Sequence, residues 1–237
     1  PAQQAQAAID MQAPVLLDYL RLIASFNRGV APGAAWKVYP GSPFIMHALM
    51  TEPERAAVHD RLRLFELHPS DWLALQAHVA QLEAGRQVSM AREDGFAGLK
   101  ALLPPPAGAG GSRRALVLID PSYEIKSDYA KVAAAVQDGL KRFVTGAYLV
   151  WYPIIARPEA HALPRRLKTL AQQAGRDWLH ATLNIGVPPD GAPGLSASGM
   201  FVINPPHTLA ATLRGALPAV VRLLGRGRGQ GYTVDAG

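Results

Sequence analysis

An acid, a proline, a small hydroxyl residue and an aromatic follow one another at Asp120-Pro121-Ser122-Tyr123, directly after the apolar run Ala115-Leu116-Val117-Leu118-Ile119. In open α/β sheets ligands bind beyond the carboxyl ends of the strands, so this position turns an acid and an aromatic toward a crevice. Pro121 fixes its own φ and biases Asp120 away from the helical region, holding the carboxylate and the carbonyls after it as a rigid hook. Rigid acceptors suit an amine. The alternative is a proline-containing strand-to-helix turn in which Asp120 only caps the turn, and the tetrapeptide alone leaves both open.

A second acid, Glu66, ends the run Leu62-Arg63-Leu64-Phe65 and precedes His68-Pro69-Ser70-Asp71. At the tip of a second strand in a nucleotide-binding fold, a carboxylate offers two acceptor oxygens to ribose hydroxyls. Ser70 is more economically a helix N-cap, and His68 a surface or packing histidine, than parts of a catalytic set. A third acid stands in Asp94-Gly95-Phe96, after the apolar run ending near Ala91. An acid and an exposed amide there can read an adenine edge; a helix cap followed by a core phenylalanine is the plainer alternative. No phosphate loop ending in Gly-Lys-Ser or Gly-Lys-Thr, no His pair four residues apart with an intervening Glu, and no Gly-x-Ser-x-Gly elbow occurs. Metal-dependent and serine hydrolysis lose most of their support.

These residues need elements to hold them. Apolar spacing predicts a helix from Pro14 through Phe26 and another through Phe44, Ala48 and Leu49 that Ser42 caps. From Arg61 onward, strands are expected at Leu62 to Leu67, Val88 to Ala91, Ala115 to Ile119 and Ala147 to Pro153. Helices at Asp71 to Ala84, Gly95 to Leu102 and Ser127 to Phe143 lie between them. The alternation predicts a parallel sheet covered on both faces, the doubly wound α/β architecture. A helix from Pro158 to Ala174 follows, then strands at Trp178 to Gly186 and Gly199 to Asn204. These two are joined by a loop without a helix, which suggests an antiparallel pair at one edge. Pro104 to Gly111 reads as a mobile surface loop.

Composition sets the outer bounds. The 237 residues are 49% hydrophobic and 18% charged, which excludes disorder. With no cysteine there is no disulfide framework and no thiolate zinc site, and a cytoplasmic setting is the default. The net charge of +6, mostly arginine, favours a polyanionic partner or else reflects only base composition. Arg113, Arg114, Lys126, Lys141, Arg142, Arg165, Arg166 and Lys168 are candidates for phosphate contacts or for solvated helix faces. The longest apolar run, Phe143 to Ala156, is too short to span a membrane, and the N-terminus does not resemble a signal peptide.

Taken together, Tyr39-Pro40-Gly41-Ser42-Pro43, Glu66 to Asp71, Asp94-Gly95-Phe96, Leu118 to Glu124, Trp151-Tyr152-Pro153 and Ser198 to Pro206 resemble the RlmJ family of S-adenosylmethionine-dependent methyltransferases. That family modifies the exocyclic N6 of an adenine in 23S ribosomal RNA. The resemblance runs from about Leu16 to the C-terminus. It implies a Rossmann-like class I methyltransferase sheet with a small helical subdomain: residues 1–38 as the remainder of the helical insertion, 39–237 as the methyltransferase domain. It further implies that Asp120 is catalytic and contacts the cofactor, that Tyr123 stacks on the target base, and that Glu66 binds the cofactor ribose. Asp94 and Gly95 would meet its adenine, and Ser42 is another cofactor contact. The partner would be 23S rRNA, deproteinised or early in assembly, met by a monomer with no metal and no membrane.

Two departures stand out. The family motif reads Asp-Pro-Pro-Tyr, and Ser122 here replaces the second proline; the backbone carbonyl does that position's work, so the change should be tolerated. The family also begins with a His-rich segment, a first strand and a Gly-rich cofactor loop, none of which occurs in this sequence. The chain thus resembles a member without its N-terminal part, and strands Leu62 to Leu67 and Ala115 to Asp120 should lack their shared neighbour. A DNA adenine methyltransferase and a non-catalytic RNA-binding module are the alternatives.

Overall fold

A computed structural model describes residues 13–31, 34–53, 60–108, 113–187 and 194–237. The chain divides between Gly98 and Leu99 into two compact units.

In the first unit, helices α1 (Pro14–Ser25) and α2 (Ser42–Met50) precede β1 (Leu62–Phe65), α3 (Pro69–Ala80), β2 (Val88–Ala91) and the start of α4 (Gly95–Leu102). β1 and β2 pair in parallel with Leu62 opposite Val88 and Phe65 opposite Ala91. The parallel pairing follows from the α3 crossover, since a two-residue turn cannot return a chain parallel to itself. α4 lies close on β1: a Cβ on Gly98 would collide with the Phe65 ring, so only glycine fits there. Ser42 does not cap α2. Gly41 holds that position with extended backbone, and Ser42 is the first helical residue, because Pro43 already supplies a residue without an N–H in the first turn. Ser70 is likewise inside α3, whose N-cap is His68, and its hydroxyl bonds the His68 Nδ1 at 2.9 Å.

The second unit contains β3 (Leu116–Ile119), α5 (Ser127–Arg142), β4 (Ala147–Pro153), α6 (Pro158–Gln173), β5 (Trp178–Asn184), β6 (Ala197–Ile203), α7 (Leu209–Leu224) and β7 (Gly231–Ala236). The sheet order is β3-β4-β6-β5-β7. β3 and β4 are parallel, whereas β6 is antiparallel to both β4 and β5. β3, β4 and β5 therefore all point their carboxyl ends to one edge. The expected antiparallel pair β5 and β6 forms, but not at the rim of the sheet: β6 is interior and the rim strand is β7, antiparallel to β5.

Alternation buries Tyr148, Val150 and Tyr152 of β4 on one face with Phe201 and Ile203 of β6. α6 covers this face, its Lys168 ammonium 4.4 Å from the Trp178 ring centre. α5 packs on α6, presenting Tyr129, Val132, Val136 and Leu140 at three- and four-residue spacing. α7 takes the opposite face, setting Leu209, Ala210 and Leu213 on Leu179, Ala181 and Val202. Both faces of this sheet are thus covered by helices, as the alternating pattern predicts. α7 and β7 were not anticipated from the sequence, for Gly215 and Pro218 interrupt the one and the other is a short strand following the glycine- and arginine-rich stretch Gly225 to Gln230.

Among the described residues β1 has one hydrogen-bonded neighbour, β2, and β3 has one, β4; the second edge of each is open, as expected. The Pro104 to Gly111 patch is described only to residue 108; the rest of it, and the polar start before residue 13, lie outside the described residues. No helix among the described residues is long and apolar enough to cross a membrane.

Candidate functional site

β3 stops at Ile119, opposite Val150 of β4, because Pro121 has no N–H to continue the ladder. Asp120 is left at the carboxyl edge, exposed on one side and backed by packed protein on the other. No hydrogen bond engages its carboxylate among the described residues, and the loss of water on the packed side raises its pKa above the ordinary value of 3.8.

Beyond Asp120 the backbone folds into a hook that Tyr123 fastens. Tyr123 has φ +55, a left-handed conformation costing a non-glycine residue about 1–2 kcal/mol. Several contacts offset it. The Tyr123 hydroxyl donates to the Trp151 carbonyl oxygen at 2.6 Å, and its ring lies 4.7 Å from that of Tyr129 and 6.3 Å from that of Trp151. Arg157, just before α6, donates from Nη1 to the Tyr123 carbonyl at 3.1 Å and to that of Glu124 at 3.4 Å. Burial, then the Asp120 carboxylate, pushes the Tyr123 phenol above its ordinary pKa.

This corrects one expectation: Tyr123 is 2% exposed, so neither face of its ring is free to stack on a base. Its place is beneath the hook. Arg157 was missed, since nothing in the local pattern marks it except its position one residue before a proline at a helix start.

The remaining candidates belong to the first unit, which brings Glu66, Asp94 and Gly95 to the carboxyl ends of β1 and β2. The Glu66 amide continues the ladder to the Ala91 carbonyl at 3.3 Å. Its half-buried carboxylate accepts the His68 N–H through Oε1 at 2.7 Å. Oε2 meets no donor among the described residues. Asp94 caps α4, with Oδ1 accepting the Phe96 N–H at 2.9 Å and its carbonyl accepting the N–H of Ala97 and Gly98. Asp94 thus acts as a helix cap, although Phe96 after it is half-buried rather than in the core, and the Gly95 N–H is left without an acceptor among the described residues. Gly95 stands against the strand end: a Cβ there would lie 3.3 Å from the Phe65 Cβ. Ser42 is exposed at the start of α2, which packs on β1.

A second acid-or-amide segment before prolines, Asn204-Pro205-Pro206, follows β6. Because β6 runs antiparallel, it emerges at the opposite edge from Asp120. Its amide is occupied, donating to the Val144 and Gly146 carbonyls at 2.8 Å each. Of the basic candidates, Arg142 is held by Asp138 at 2.6 Å and Lys168 by Trp178, while Arg165 and Arg166 project from α6 into solvent.

Residues 5–235 match the family model described as ribosomal RNA large subunit methyltransferase D, RlmJ. The ribosomal RNA large subunit methyltransferase J of Escherichia coli (strain K12) is 38% identical over 200 residues, 84% of this chain and 64% of that protein. The protein of the same name from Haemophilus influenzae (strain ATCC 51907 / DSM 11121 / KW20 / Rd) is 38% identical over 207 residues, 87% of this chain and 66% of that protein. The chain thus spans just under two thirds of the length of these relatives. The crystal structure of protein LPL1258 from Legionella pneumophila str. Philadelphia 1 shares the fold, with a TM-score of 0.73 at 27% identity over 93% of this chain and 73% of that one. A match over almost the whole sequence, on a sheet that places the Asp120 hook where the open α/β architecture requires its ligands, makes the chain a member of the RlmJ family.

Proposed function

We propose that this chain carries the target-base half of the chemistry of an S-adenosylmethionine-dependent methyltransferase acting on the N6 amino group of an adenine in 23S ribosomal RNA. The observation that supports this best is the Asp120-Pro121-Ser122 hook, a carboxylate with no hydrogen-bond partner among the described residues, at a strand end whose following backbone is fixed by Tyr123 and Arg157. An exocyclic adenine nitrogen is a poor nucleophile while its lone pair is conjugated with the ring. Asp120 and the Pro121 carbonyl, accepting its two hydrogens, turn that lone pair outward and stabilise the positive charge that grows on nitrogen. Ser122 in place of a second proline keeps the carbonyl the reaction needs.

The cofactor supplies an already activated sulfonium methyl, so the protein contributes alignment and electrostatics. In this reading the free Oε2 of Glu66 accepts a ribose hydroxyl, the Gly95 N–H donates to the adenine edge with Asp94 holding the turn, and Ser42 adds a contact. The donor set fits: a half-free carboxylate and an amide without an acceptor stand at neighbouring strand ends. Residues up to 38 are the remainder of a helical insertion, and the enzyme works as a cytoplasmic monomer.

The test is transfer of labelled methyl to deproteinised 23S RNA by the complete enzyme and its Asp120→Ala variant, with duplex DNA in parallel. RNA methylated at an adenine N6 by the parent only is the expected result. Preference for DNA, or an active Asp120→Ala variant, would overturn it.

A further inference from the structure

Between Asp190 and Asp235 the sequence holds no acidic residue, yet it includes Gly225-Arg226-Gly227-Arg228-Gly229 between α7 and β7. This loop is not loose. The Arg226 N–H donates to the Ile185 carbonyl at 2.7 Å and the Val187 N–H to the Arg228 carbonyl at 3.4 Å. Gly186, with φ +83, lets it approach so closely that a Cβ there would stand 3.1 Å from the Arg228 oxygen. Gly227 (φ +140) and Gly229 (φ +83) bend it through conformations that favour glycine. Both arginines are exposed, and among the described residues no carboxylate or hydrogen-bond acceptor engages either guanidinium. The backbone is therefore tied to the end of β5 while the charges are left unspent.

Location gives this a direction. Gly231 pairs with Asn184, so the loop enters β7 at the carboxyl end of β5, the edge that also carries Asp120 at the end of β3. Three to four strand spacings separate them, roughly 14–19 Å. A guanidinium pair on a fixed backbone at that distance suits phosphate oxygens, which it meets in a planar fork.

We infer that Arg226 and Arg228 clamp the phosphate backbone of the RNA a few nucleotides from the base held at Asp120. The inference rests on the RNA-methyltransferase reading and adds to it a binding element that fixes where along the strand the target lies. Phosphate contacts of this kind position without reading sequence.

The experiment measures binding of a 23S-derived RNA hairpin to the complete enzyme by fluorescence anisotropy at several salt concentrations, for the parent, R226A/R228A, R226K/R228K and Arg176→Ala at the opposite edge. The double alanine variant should bind about tenfold more weakly and lose about 1.4 from the slope of log K against log salt, roughly 0.7 per single-strand phosphate contact. The lysine pair should restore most of both, and Arg176→Ala should change neither. Unchanged affinity and slope in R226A/R228A with normal parent binding would overturn the clamp and leave the methyltransferase reading standing. An equal loss from Arg176→Ala would also overturn it, as diffuse charge. A parent that binds duplex DNA but not RNA would sink both.

Discussion

The Tyr123 hydroxyl and the Trp151 carbonyl oxygen, 2.6 Å apart, join the tip of β3 to the tip of β4. β3 ends four residues before Tyr123, so the bond extends the join between the strands past the last ladder pair. It holds the intervening Asp120-Pro121-Ser122 in one shape. Removing only the hydroxyl should cost about 1 kcal/mol, the net worth of one hydrogen bond. Tyr123→Phe is expected to lower Tm by a few degrees while RNA affinity stays within twofold. A calorimetric scan together with a binding titration checks this; lost affinity at unchanged Tm would restore the ring to the substrate.

Asp120 has a pKa raised by burial, and the sign of its effect on stability follows. The unfolded chain loses this proton near 3.8, the folded chain at higher pH. Stability from this group is therefore highest below 3.8, falls as pH rises through the window up to the raised folded value, and stays reduced above it. Asp120→Asn should melt higher than the parent at pH 7, and the gain should vanish near pH 3. Methyl transfer should fall about 100-fold or more in the same variant, comparable to removing one preorganised polar group. Melting curves over that pH range and a single-turnover assay test both halves.

Glu66 uses one oxygen on its own turn and keeps the other. Glu66→Ala in the complete enzyme should raise the cofactor Kd about tenfold or more, since a hydrogen bond to a charged group contributes about 1.5–3 kcal/mol. Isothermal titration with S-adenosylmethionine measures it. Equal affinity would mean that the carboxylate serves only the His68 turn.

Gly199 lies across from Tyr152, whose hydroxyl meets the His180 Nε2 at 2.7 Å. A Cβ on Gly199 would collide with the Tyr152 ring, and β4 leaves that ring little freedom because it is 2% exposed. Gly199→Ala should destabilise the second unit by about 1–3 kcal/mol through overpacking. Burial holds the His180 imidazole below its ordinary pKa, so its stabilising contribution is present above about 6.5 and is lost as pH falls through the lowered folded value. Melting of the variant at pH 7.5, and of His180→Gln from pH 7.5 to 5, provides the comparison; the latter should show a flatter acid decline than the parent.

Much of this was legible from apolar periodicity. β2, α4 and β4 fall at the residues their patterns indicate, because each run is bounded by proline, glycine or a charged turn. α7 was not, since Gly215 and Pro218 break the local signal that packing on β5 and β7 overrides. The acids at the tips of β1 and β3 were readable because a strand end is visible in sequence. Which face Tyr123 shows was not, because its burial depends on Trp151, Tyr129 and Arg157, residues whose approach only the tertiary fold decides. Arg226 and Arg228 escaped notice for a related reason: they gain meaning from the strand end beside them.

Two reversed strands have an outcome for how this protein can change over time. Because β6 and β7 descend while β3, β4 and β5 ascend, the connection from β5 to β6 starts and finishes at the Asp120 edge, and the turn from α7 into β7 opens there too. Added or deleted residues in these two connections reshape the rim on the Asp120 side, where the proposed RNA would lie, while the ladders beneath keep their register. On the proposed function, substrate preference is thereby uncoupled from folding: target choice can drift through loop lengths while the Asp120 hook keeps the shape that Tyr123 and Arg157 give it.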